Sequence, residues 1–590
     1  MSKVKVLSSI GLLTGVALTL TACGSNSNSS SNSASSVSKF KDTVPTKTAK
    51  SGGTVNYAIE TDSPFTGIFS NELSTTSTDS EVMQFGNESL LATDDSYKFT
   101  NKGAATFKLD KNAKTITIEV KKGVKWSDGK QVTAKDIEYA YEIIANKDTN
   151  CQRYTSSLAD IVGLEEYHEG KSSTISGIEM PDGENGRKVV LHFKEMKPGM
   201  TQSGNGYFWE TAVPYHYLKD VAFKDLESSD KVRKNPLFFG PYKLQSIVRG
   251  QSTTWVPNKY YWRGTPKLKK IVATVVGTNS VTQSIKSKKF DVAQVINSQW
   301  NNVKNTKGVN FIAQVPLSYS YLGFKVGKYD TKTGKNVMDK NSKMNNKALR
   351  QAIAYAMNVN EAYKRYFNGL AFRVPTLIPE QFGKYFSKNA DAYSYNLKKA
   401  EQILDKAGYK KKGKYRVQPN GKKLVIYLAA RSGSSVSDSI TQNYIQQWRK
   451  IGLDVKLSSG RLMESNSFYD KIQNDSPNID MFMAGWSLSS EPSPADLYSE
   501  QAPFNFARFV TKKNTQLLNE IDSQKAFNNS YRVKKFHEWQ KYMNDEAYVV
   551  PVSNGYEISA INNKLTGYSL KPSLGNGNGQ PNWYYVAYAK

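Results

Sequence analysis

The sequence predicts an α/β fold with at least two mixed sheets. Residues 114–121, KTITIEVK, alternate apolar and polar side chains, which is the period of a strand with one buried face. Residues 437–452 instead carry apolar side chains at helical spacing and end in a glycine, and residues 453–457 alternate again. Because helices and strands follow each other at such spacings, the chain favours sheets covered by helices.

The remaining elements follow from their own start and stop signals. Further strands are predicted at residues 54–59, 187–194 and 424–429, and further helices are predicted to start at Thr133, Asn345 and Asn396. Thr133 is followed three residues later by Asp136, which is the spacing of a capping box. The helix after Asn396 ends at Gly408, a residue suited to the left-handed conformation after a helix C-terminus.

The length and the charge of the chain limit its class. With 590 residues the chain is long enough for about three or four folding units. Lys and Arg exceed Asp and Glu by 80 to 52, which gives a net charge of +28 and suits a polyanionic partner. The basic residues are scattered, however, and their densest cluster is KKKGK at 410–414. No nucleic acid is therefore predicted as a partner, and anionic polymers of a cell wall are enough to explain the charge.

The N-terminal residues predict export and a lipid anchor. Two lysines precede an apolar run that is too short to span a membrane, so residues 1–22 are interpreted as a signal peptide. LTAC at 20–23 resembles the lipobox of bacterial lipoproteins, which implies a palmitate or similar acyl group on Cys23. Residues 24–38 are almost entirely Ser and Asn, and residues 23–50 are predicted to be the lipidated cysteine and its tether. The alternative is an ordinary signal peptide that ends near a cysteine.

Motifs of catalysis and of cofactor binding are absent or weak. The four histidines lie far apart, without a His-Glu-x-x-His motif, so no metal site is predicted. There is neither a Gly-x-Ser-x-Gly elbow nor a Walker loop, and no cofactor is predicted. Cys151, the second of two cysteines, is interpreted as a buried structural thiol. An enzyme is therefore not expected.

Several strings, in one order along the chain, resemble the extracellular solute-binding proteins of peptide ABC transporters, the oligopeptide-binding family. The most specific is VKWSDG at 124–129, followed by TAKDI at 133–137. The others are FGPY at 239–242, PNKYYW at 257–262, FDVA at 290–293, ALRQAIAYA at 348–356, KAEQILDKAGY at 399–409 and GLDV at 452–455. Each alone is a weak signal, but together they extend the resemblance over about residues 51–590.

The resemblance implies a two-lobed, periplasmic-binding-protein-like fold with mixed sheets, hinge strands between the lobes and an extra domain packed on the first lobe. Lobe I is then expected at residues 51–86, 213–320 and 551–590, the extra domain at residues 87–212, and lobe II at residues 321–550. The implied function is capture of oligopeptides and their delivery to a membrane permease with ATPase subunits. The implied location is the extracellular face of the cytoplasmic membrane of a Gram-positive cell, where lipid at Cys23 holds a monomer.

The resemblance also implies which residues line the cleft. Contacts with the peptide backbone are expected from Thr61, Asp62, Ser63 and Phe65 after the first strand, and from Gly485, Trp486 and Ser487 in lobe II. Edge strands that pair with a peptide backbone give affinity without reading its side chains. For Trp486 the alternative is a core aromatic residue, since such residues are often buried.

The residue that binds the amino group of the peptide departs from the family pattern. The best-known members have an aspartate three residues after the tryptophan, where this chain has Ser489. Glu491, in a proline-rich segment, is the next acid and the candidate partner of the ammonium group. The alternative is that Glu491 is an exposed loop acid and that peptides with blocked ends bind as well.

Two other functions fit the same sequence. A receptor for one signalling peptide would share the fold and the motifs, and the lipid anchor with the basic charge also fits a surface adhesin. A secreted hydrolase fits less well, because the chain lacks the motifs of such enzymes.

Overall fold

A computed structural model describes residues 40–61, 64–149, 151–155, 157–390, 393–432 and 436–590. The predicted signal peptide, Cys23 and most of the predicted tether lie outside these residues, as do Asp62 and Ser63. The described residues include sheets of seven, six and four strands, which form the centres of three units that we call lobe I, lobe II and the extra domain. No helix of this part of the chain is long and apolar enough to cross a membrane.

Lobe I is built around the seven-stranded sheet. In spatial order its strands are β13 (Val309–Gln314), β24 (Glu557–Asn562), β12 (Val292–Val295), β2 (Thr54–Glu60), β11 (Lys270–Val276), β10 (Ser252–Pro257) and β9 (Tyr242–Val248). An aromatic core that includes Trp255 and Trp583 covers one face of this sheet, next to helix α1 (Ser77–Met83). Ala58 on the other face packs into a cluster with residues of α6 (Thr278–Lys286) and α7 (Trp300–Val303).

Lobe II is built around the six-stranded mixed sheet. Its strands are, in spatial order, β17 (Ala371–Arg373), β23 (Val549–Gly555), β14 (Ser318–Phe324), β22 (Met481–Ser487), β20 (Val425–Ala429) and β21 (Asp454–Leu457). Its helices are α8 (Lys347–Tyr355), α9 (Val359–Tyr366), α10 (Leu397–Lys406), α11 (Ser437–Lys450), α12 (Ser465–Gln473), α13 (Ala495–Tyr498), α14 (Lys512–Ile521) and α15 (Asn529–Glu546). Trp448 and Trp539 are fully buried under these helices.

The extra domain holds a four-stranded antiparallel sheet against one long helix. Its elements are β5 (Ala105–Asp110), β6 (Thr115–Val120), β7 (Ile178–Glu179), β8 (Lys188–His192), α2 (Ala134–Ala145) and α3 (Leu164–His168). Ile116, Ile118 and Val120 are buried on one face of β6, which confirms the strand predicted at 114–121. This face packs on α2 in a core of its own.

Short elements complete the chain. They are β1 (Ala49–Lys50), β25 (Leu565–Thr566), β26 (Ala587–Ala589), the two-stranded ribbons β3 (Ala92–Thr93) with β4 (Phe99–Thr100), β15 (Gly327–Asp330) with β16 (Lys335–Met338) and β18 (Lys411–Lys412) with β19 (Tyr415–Arg416), and helices α4 (Tyr215–Leu218) and α5 (Asp230–Arg233).

The helix starts agree closely with the sequence signals. Thr133 and Asp136 form the reciprocal capping box at the start of α2, as predicted. The cap of α10 is Asn396, also as predicted. The cap of α8 is Asn346 and not Asn345, because the Asn346 side chain is the one that accepts the Leu349 N–H three residues later.

Two short connections form the hinge between the lobes. The chain enters lobe II between β13 and β14 and returns between β23 and β24. Asn554, near the end of β23, ties these connections together: its Nδ2 donates to the carbonyls of Pro316 at 2.9 Å and Ser318 at 2.6 Å. One side chain thus joins both hinge strands.

Candidate functional site

In each of the two large sheets, several strands have their carboxyl ends at the edge next to the hinge. In lobe I, β2, β11 and β12 run parallel to β13, which leads into the hinge, so these strands end at the same edge. In lobe II, β14 leaves the hinge and is antiparallel to β22, with Ser318 opposite Ser487, so β22 also ends there. The ends of β2 and β22 therefore face the cleft between the lobes, the edge at which open α/β sheets bind ligands.

The last part of β22 has an open backbone edge. Its neighbour β20 ends at Ala429 and pairs with β22 only through Met481 and Phe482. Beside residues 484–487 no strand of the described chain lies on that side. A strand edge without a neighbouring strand can offer backbone N–H and C=O groups to an extended ligand.

The register of β22 shows which residues face the open side. The Leu488 N–H donates to the carbonyl of Leu317, the residue before β14, at 2.8 Å. Because backbone groups alternate along a strand, those of Gly485 and Ser487 point away from β14. The Gly485 carbonyl accepts a hydrogen bond from Tyr469 Oη at 3.3 Å. The Gly485 carbonyl thus already has a partner, and the Gly485 N–H and the backbone groups of Ser487 are those through which a peptide strand can pair with lobe II.

The predicted residues of lobe I follow β2 directly. Thr61 is partly exposed, and its N–H donates to the Val276 carbonyl at 3.1 Å, which prolongs the pairing of β2 with β11. Phe65 is only 2% exposed and packs with Phe69 at 6.4 Å between ring centroids. Its side chain therefore belongs to the core of lobe I, while Asp62 and Ser63 lie outside the described residues.

Trp486 packs into lobe II rather than standing free in the cleft. Its side chain is 9% exposed and lies between Tyr321 and Phe506, with ring centroids 6.3 Å and 5.2 Å away. This arrangement favours the core-aromatic interpretation for the ring. Ser487, the next residue, is exposed, so the segment presents to the cleft its backbone and one hydroxyl.

Glu491 is buried and paired within the chain. It is 6% exposed; its Oε1 lies 2.6 Å from Arg532 Nη2, and its Oε2 accepts the Ser493 N–H at 2.8 Å. Arg532 also reaches the Asp522 carboxylate at 3.1 Å. Burial raises the pKa of Glu491, and the Arg532 charge opposes that increase. The exposed loop acid of the alternative interpretation is thus not what the structure shows.

An acidic group near the end of β2 was not singled out from the sequence. Glu60 ends β2, Glu557 begins β24, and Glu81 on α1 accepts a hydrogen bond from Tyr57 Oη at 2.9 Å. Burial, with smaller contributions from the charges of Glu60 and Glu557, raises the pKa of Glu81 to about 7. These acids come from three distant parts of the chain, so only the fold brings them together.

The extra domain touches lobe II across the cleft. Gln202 Nε2 donates to the Ser490 carbonyl at 2.8 Å, and Gln524 Nε2 donates to the Met196 carbonyl at 2.7 Å. Gly199 approaches the Glu491 side chain so closely that an added Cβ would lie 2.7 Å from its carboxyl carbon. We call these interactions the closing contact, since they join the extra domain directly to lobe II.

The described residues contain no group of three or more His, Cys, Asp or Glu side chains placed to hold a metal ion. Cys151, interpreted from the sequence as a buried structural thiol, is partly buried and packs between the extra domain and lobe I. Its Sγ donates to the Glu72 carbonyl at 3.2 Å, and burial raises the pKa of the thiol to about 11. A thiol with such a pKa is a weak nucleophile at neutral pH.

Two lobes on a two-stranded hinge, with strand ends that face each other across a cleft, define the class of two-lobed solute-binding proteins. The chain belongs to the bacterial extracellular solute-binding proteins, family 5, whose model matches residues 91–507.

Individual relatives agree with this assignment. The chain is 45% identical, over 82% of each sequence, to the oligopeptide-binding protein OppA of Lactococcus lactis subsp. cremoris strain SK11, and 24% identical over 96% of each to the oligopeptide-binding protein AppA of Bacillus subtilis strain 168. Among solved structures it is similar to lactococcal OppA complexed with an endogenous peptide in the closed conformation. That match has a TM-score of 0.79 and 42% identity, and it covers 91% of this chain and 100% of the other.

Proposed function

We propose that this protein captures oligopeptides outside the cell and delivers them to the permease of an ABC transporter, whose separate ATPase subunits drive uptake. The open edge of β22 at 484–487 carries this proposal, because it offers backbone donors and acceptors to an extended chain. The 45% identity to an oligopeptide-binding protein supports the same ligand class. We propose no catalytic activity.

In this proposal the ligand is held mainly through its backbone. Gly485 and Ser487 pair with the peptide from lobe II, and residues 61–65 contribute from lobe I. Trp486 stiffens the lobe II strand through its aromatic neighbours. Closure of the lobes excludes water from these hydrogen bonds and forms the closing contact between the extra domain and lobe II. The division into lobe I, the extra domain at residues 87–212 and lobe II is part of the proposal, as is a monomer as the working unit. The lobe II ends predicted at residues 321 and 550 are moved to Ser318 and Gly555, because β14 and β23 belong whole to its sheet. Residues 40–50 are counted with lobe I rather than with the tether, since Val44 is buried in its core and β1 pairs with β26.

The location follows from the N-terminal sequence. We propose that residues 1–22 direct export, that Cys23 carries the acyl chains, and that the Ser/Asn-rich tether holds the folded body at the outer face of the cytoplasmic membrane. The match to a family of extracellular proteins supports export. Each buried methylene adds roughly 0.8 kcal/mol to membrane affinity, so acylation at one residue is enough when more than one chain is attached.

Titration with peptides tests the function. The folded body, produced without residues 1–23, is mixed with a random peptide pool, and tryptophan fluorescence and calorimetry report binding. Saturable binding of many peptides, recovered intact by mass spectrometry, is expected. A response to one or very few peptides would instead favour a signalling receptor, and no response an adhesin. Shortened peptides would reveal a hydrolase.

A further inference from the structure

Arg373 in lobe II lies in a polar site without a counter-ion among the described residues. Its Nε and Nη2 atoms are shielded from solvent and have no hydrogen-bond partner there, while Nη1 reaches the Met357 carbonyl only at 3.5 Å. Nε and Nη2 form one edge of the guanidinium group, the edge that binds a carboxylate through two parallel hydrogen bonds. A cation that is shielded from solvent and leaves these two donors unpaired costs folding free energy unless an anion binds to them.

Tyr444 on α11 supplies a third donor at the same place. Its side chain is fully buried, its Oη has no partner in the described chain, and the nearby Arg373 opposes the rise that burial causes in the pKa of Tyr444. Tyr393, which also interacts electrostatically with Arg373, already donates its hydroxyl to the Asn544 carbonyl at 2.5 Å. Burial lowers the pKa of Arg373 to about 10, and no carboxylate of the described chain counters this effect.

The register of the lobe II sheet connects Arg373 with the open edge of β22. Arg373 lies opposite Ser553, Ser553 opposite Ser320, and Ser320 opposite Gly485. Residues opposite each other share a face of the sheet, so a row of small side chains leads from Gly485 to Arg373 over three strand spacings, roughly 14 Å. Tyr363 on α9 lies beside this row, where Ser320 and Ser553 oppose the rise that burial causes in the pKa of Tyr363.

We propose that Arg373 and Tyr444 form a carboxylate-binding site in lobe II. The two oxygens of the carboxylate are held by Nε and Nη2 of Arg373, and Tyr444 Oη donates to one of them. The carboxylate comes either from a small free acid such as formate or from the bound peptide itself. The second source rests on the proposed function, whereas the first does not.

Formate is the probe for the free acid. Thermal unfolding of the peptide-free protein is compared in sodium formate and sodium chloride at equal ionic strength. We expect formate to raise Tm in the wild type, to have a smaller effect in Tyr444→Phe and to have none in Arg373→Met. Replacing an unpaired buried cation by an apolar side chain of similar length does not by itself unfold a protein. Arg461→Met, at an exposed arginine, is the matched control and should respond like the wild type.

The peptide arm uses one peptide as the free acid and as the C-terminal amide, measured by calorimetry. If the peptide supplies the carboxylate, the wild type binds the acid about 10- to 100-fold more tightly, the range for hydrogen bonds to a charged group. Arg373→Met abolishes the preference for the free acid. Arg373→Lys keeps the positive charge but cannot form two parallel hydrogen bonds with the carboxylate, so this variant keeps only part of the preference.

The two proposals fail separately. If neither the formate effect nor the acid preference depends on Arg373, the carboxylate site is refuted even though peptides bind. If formate stabilises the protein through Arg373 but no peptide binds, the site stands and the proposed function is refuted.

Discussion

The Glu491 carboxylate and the Arg532 guanidinium, 41 residues apart in the chain, form a buried ion pair with 2.6 Å between Oε1 and Nη2. Both carboxylate oxygens are in use, because Oε2 accepts the Ser493 N–H. A peptide amine at Glu491 would therefore have to compete with a guanidinium that is already in place.

We expect Glu491→Gln to lower the free energy of unfolding by about 1 to 3 kcal/mol, because Arg532 then keeps the Asp522 carboxylate and the Ile521 carbonyl but loses a buried carboxylate partner. Chemical unfolding measures this loss. For peptide binding we expect that N-acetylation changes the affinity of wild type and mutant equally, within about 0.5 kcal/mol. A loss of affinity confined to free-amine peptides would instead show that Glu491 binds the amine.

The open edge of β22 is tested at Ser487. Ser487→Pro removes an N–H that points away from β14, so the sheet loses no hydrogen bond while the ligand does. We expect peptide affinity to fall by about 1 to 3 kcal/mol, from the lost hydrogen bond and the proline ring at the pairing edge. Ser487→Ala, which keeps the N–H, is the control and should stay within about 0.5 kcal/mol of the wild type in calorimetry. Equal affinities for both variants would rule out strand addition at this edge.

The closing contact is tested at Gln524, whose Nε2 donates to the Met196 carbonyl of the extra domain. Gln524→Ala removes a hydrogen bond that exists only when the units are together. We expect peptides to dissociate about 2- to 10-fold faster, the range for one hydrogen bond, with little change in Tm of the free protein. Stopped-flow fluorescence measures the rate.

Gln516→Ala, at an exposed glutamine on α14, serves as the control for that measurement. Small-angle scattering with and without peptide gives an independent check, because lobe closure lowers the radius of gyration. Unchanged dissociation rates together with an unchanged scattering profile would contradict closure on the ligand.

Glu81 predicts a pH dependence of stability. Burial raises the pKa of Glu81 from the ordinary glutamate value of 4.5 to about 7, so the folded state binds the proton more tightly than the unfolded state. Its contribution to stability is complete below about pH 4.5 and is lost as the pH rises through about 7, by at most about 3 kcal/mol.

Unfolding of the wild type and of Glu81→Gln at pH 5 and pH 8 measures this effect. We expect Glu81→Gln to be more stable than the wild type at pH 8. We also expect it to lose less stability than the wild type between pH 5 and pH 8. Burial also raises the pKa values of Glu88 and Glu210 to about 7. These two residues change the stability of the wild type and of the mutant equally between pH 5 and pH 8, so their effect cancels when the two proteins are compared. Glu166→Gln, at an exposed glutamate, should keep the wild-type slope. A Glu81→Gln slope equal to that of the wild type would contradict the raised pKa.

Cys23→Ala tests the anchor. We expect the variant to fold and to appear in the culture medium, because the acyl chains supply the membrane affinity and no helix of the described body can replace them. Cell fractionation with detection of the protein in each fraction is the measurement. Recovery of the variant in the membrane fraction, as firmly held as the wild type, would refute lipidation as the anchor.

The fold class and the main elements could be predicted from the sequence because their signals are local. The capping box of Thr133 and Asp136 lies within four residues, and the alternation of Ile116, Ile118 and Val120 within five. Asn345 was one residue from the true cap of α8, since adjacent asparagines give the same local signal.

The candidate site was less accessible to sequence reasoning, because its properties depend on distant residues. The burial of Trp486 depends on Tyr321 and Phe506, and the open edge depends on where β20 ends. Glu491 was assigned by its position after the tryptophan, while Arg532, which determines its environment, lies on another helix. No local pattern contains these relationships.

The position of the hinge determines the order in which the parts of lobe I can assemble as the chain folds after export. Gln314 and Glu557 are partners in adjacent strands of lobe I although 243 residues separate them, so all of lobe II is an insertion between β13 and β24. A chain that emerges from its N-terminus can therefore complete the lobe I sheet only after β24 has emerged. Direct joining of residue 314 to residue 557 would make lobe I and its extra domain one continuous polypeptide.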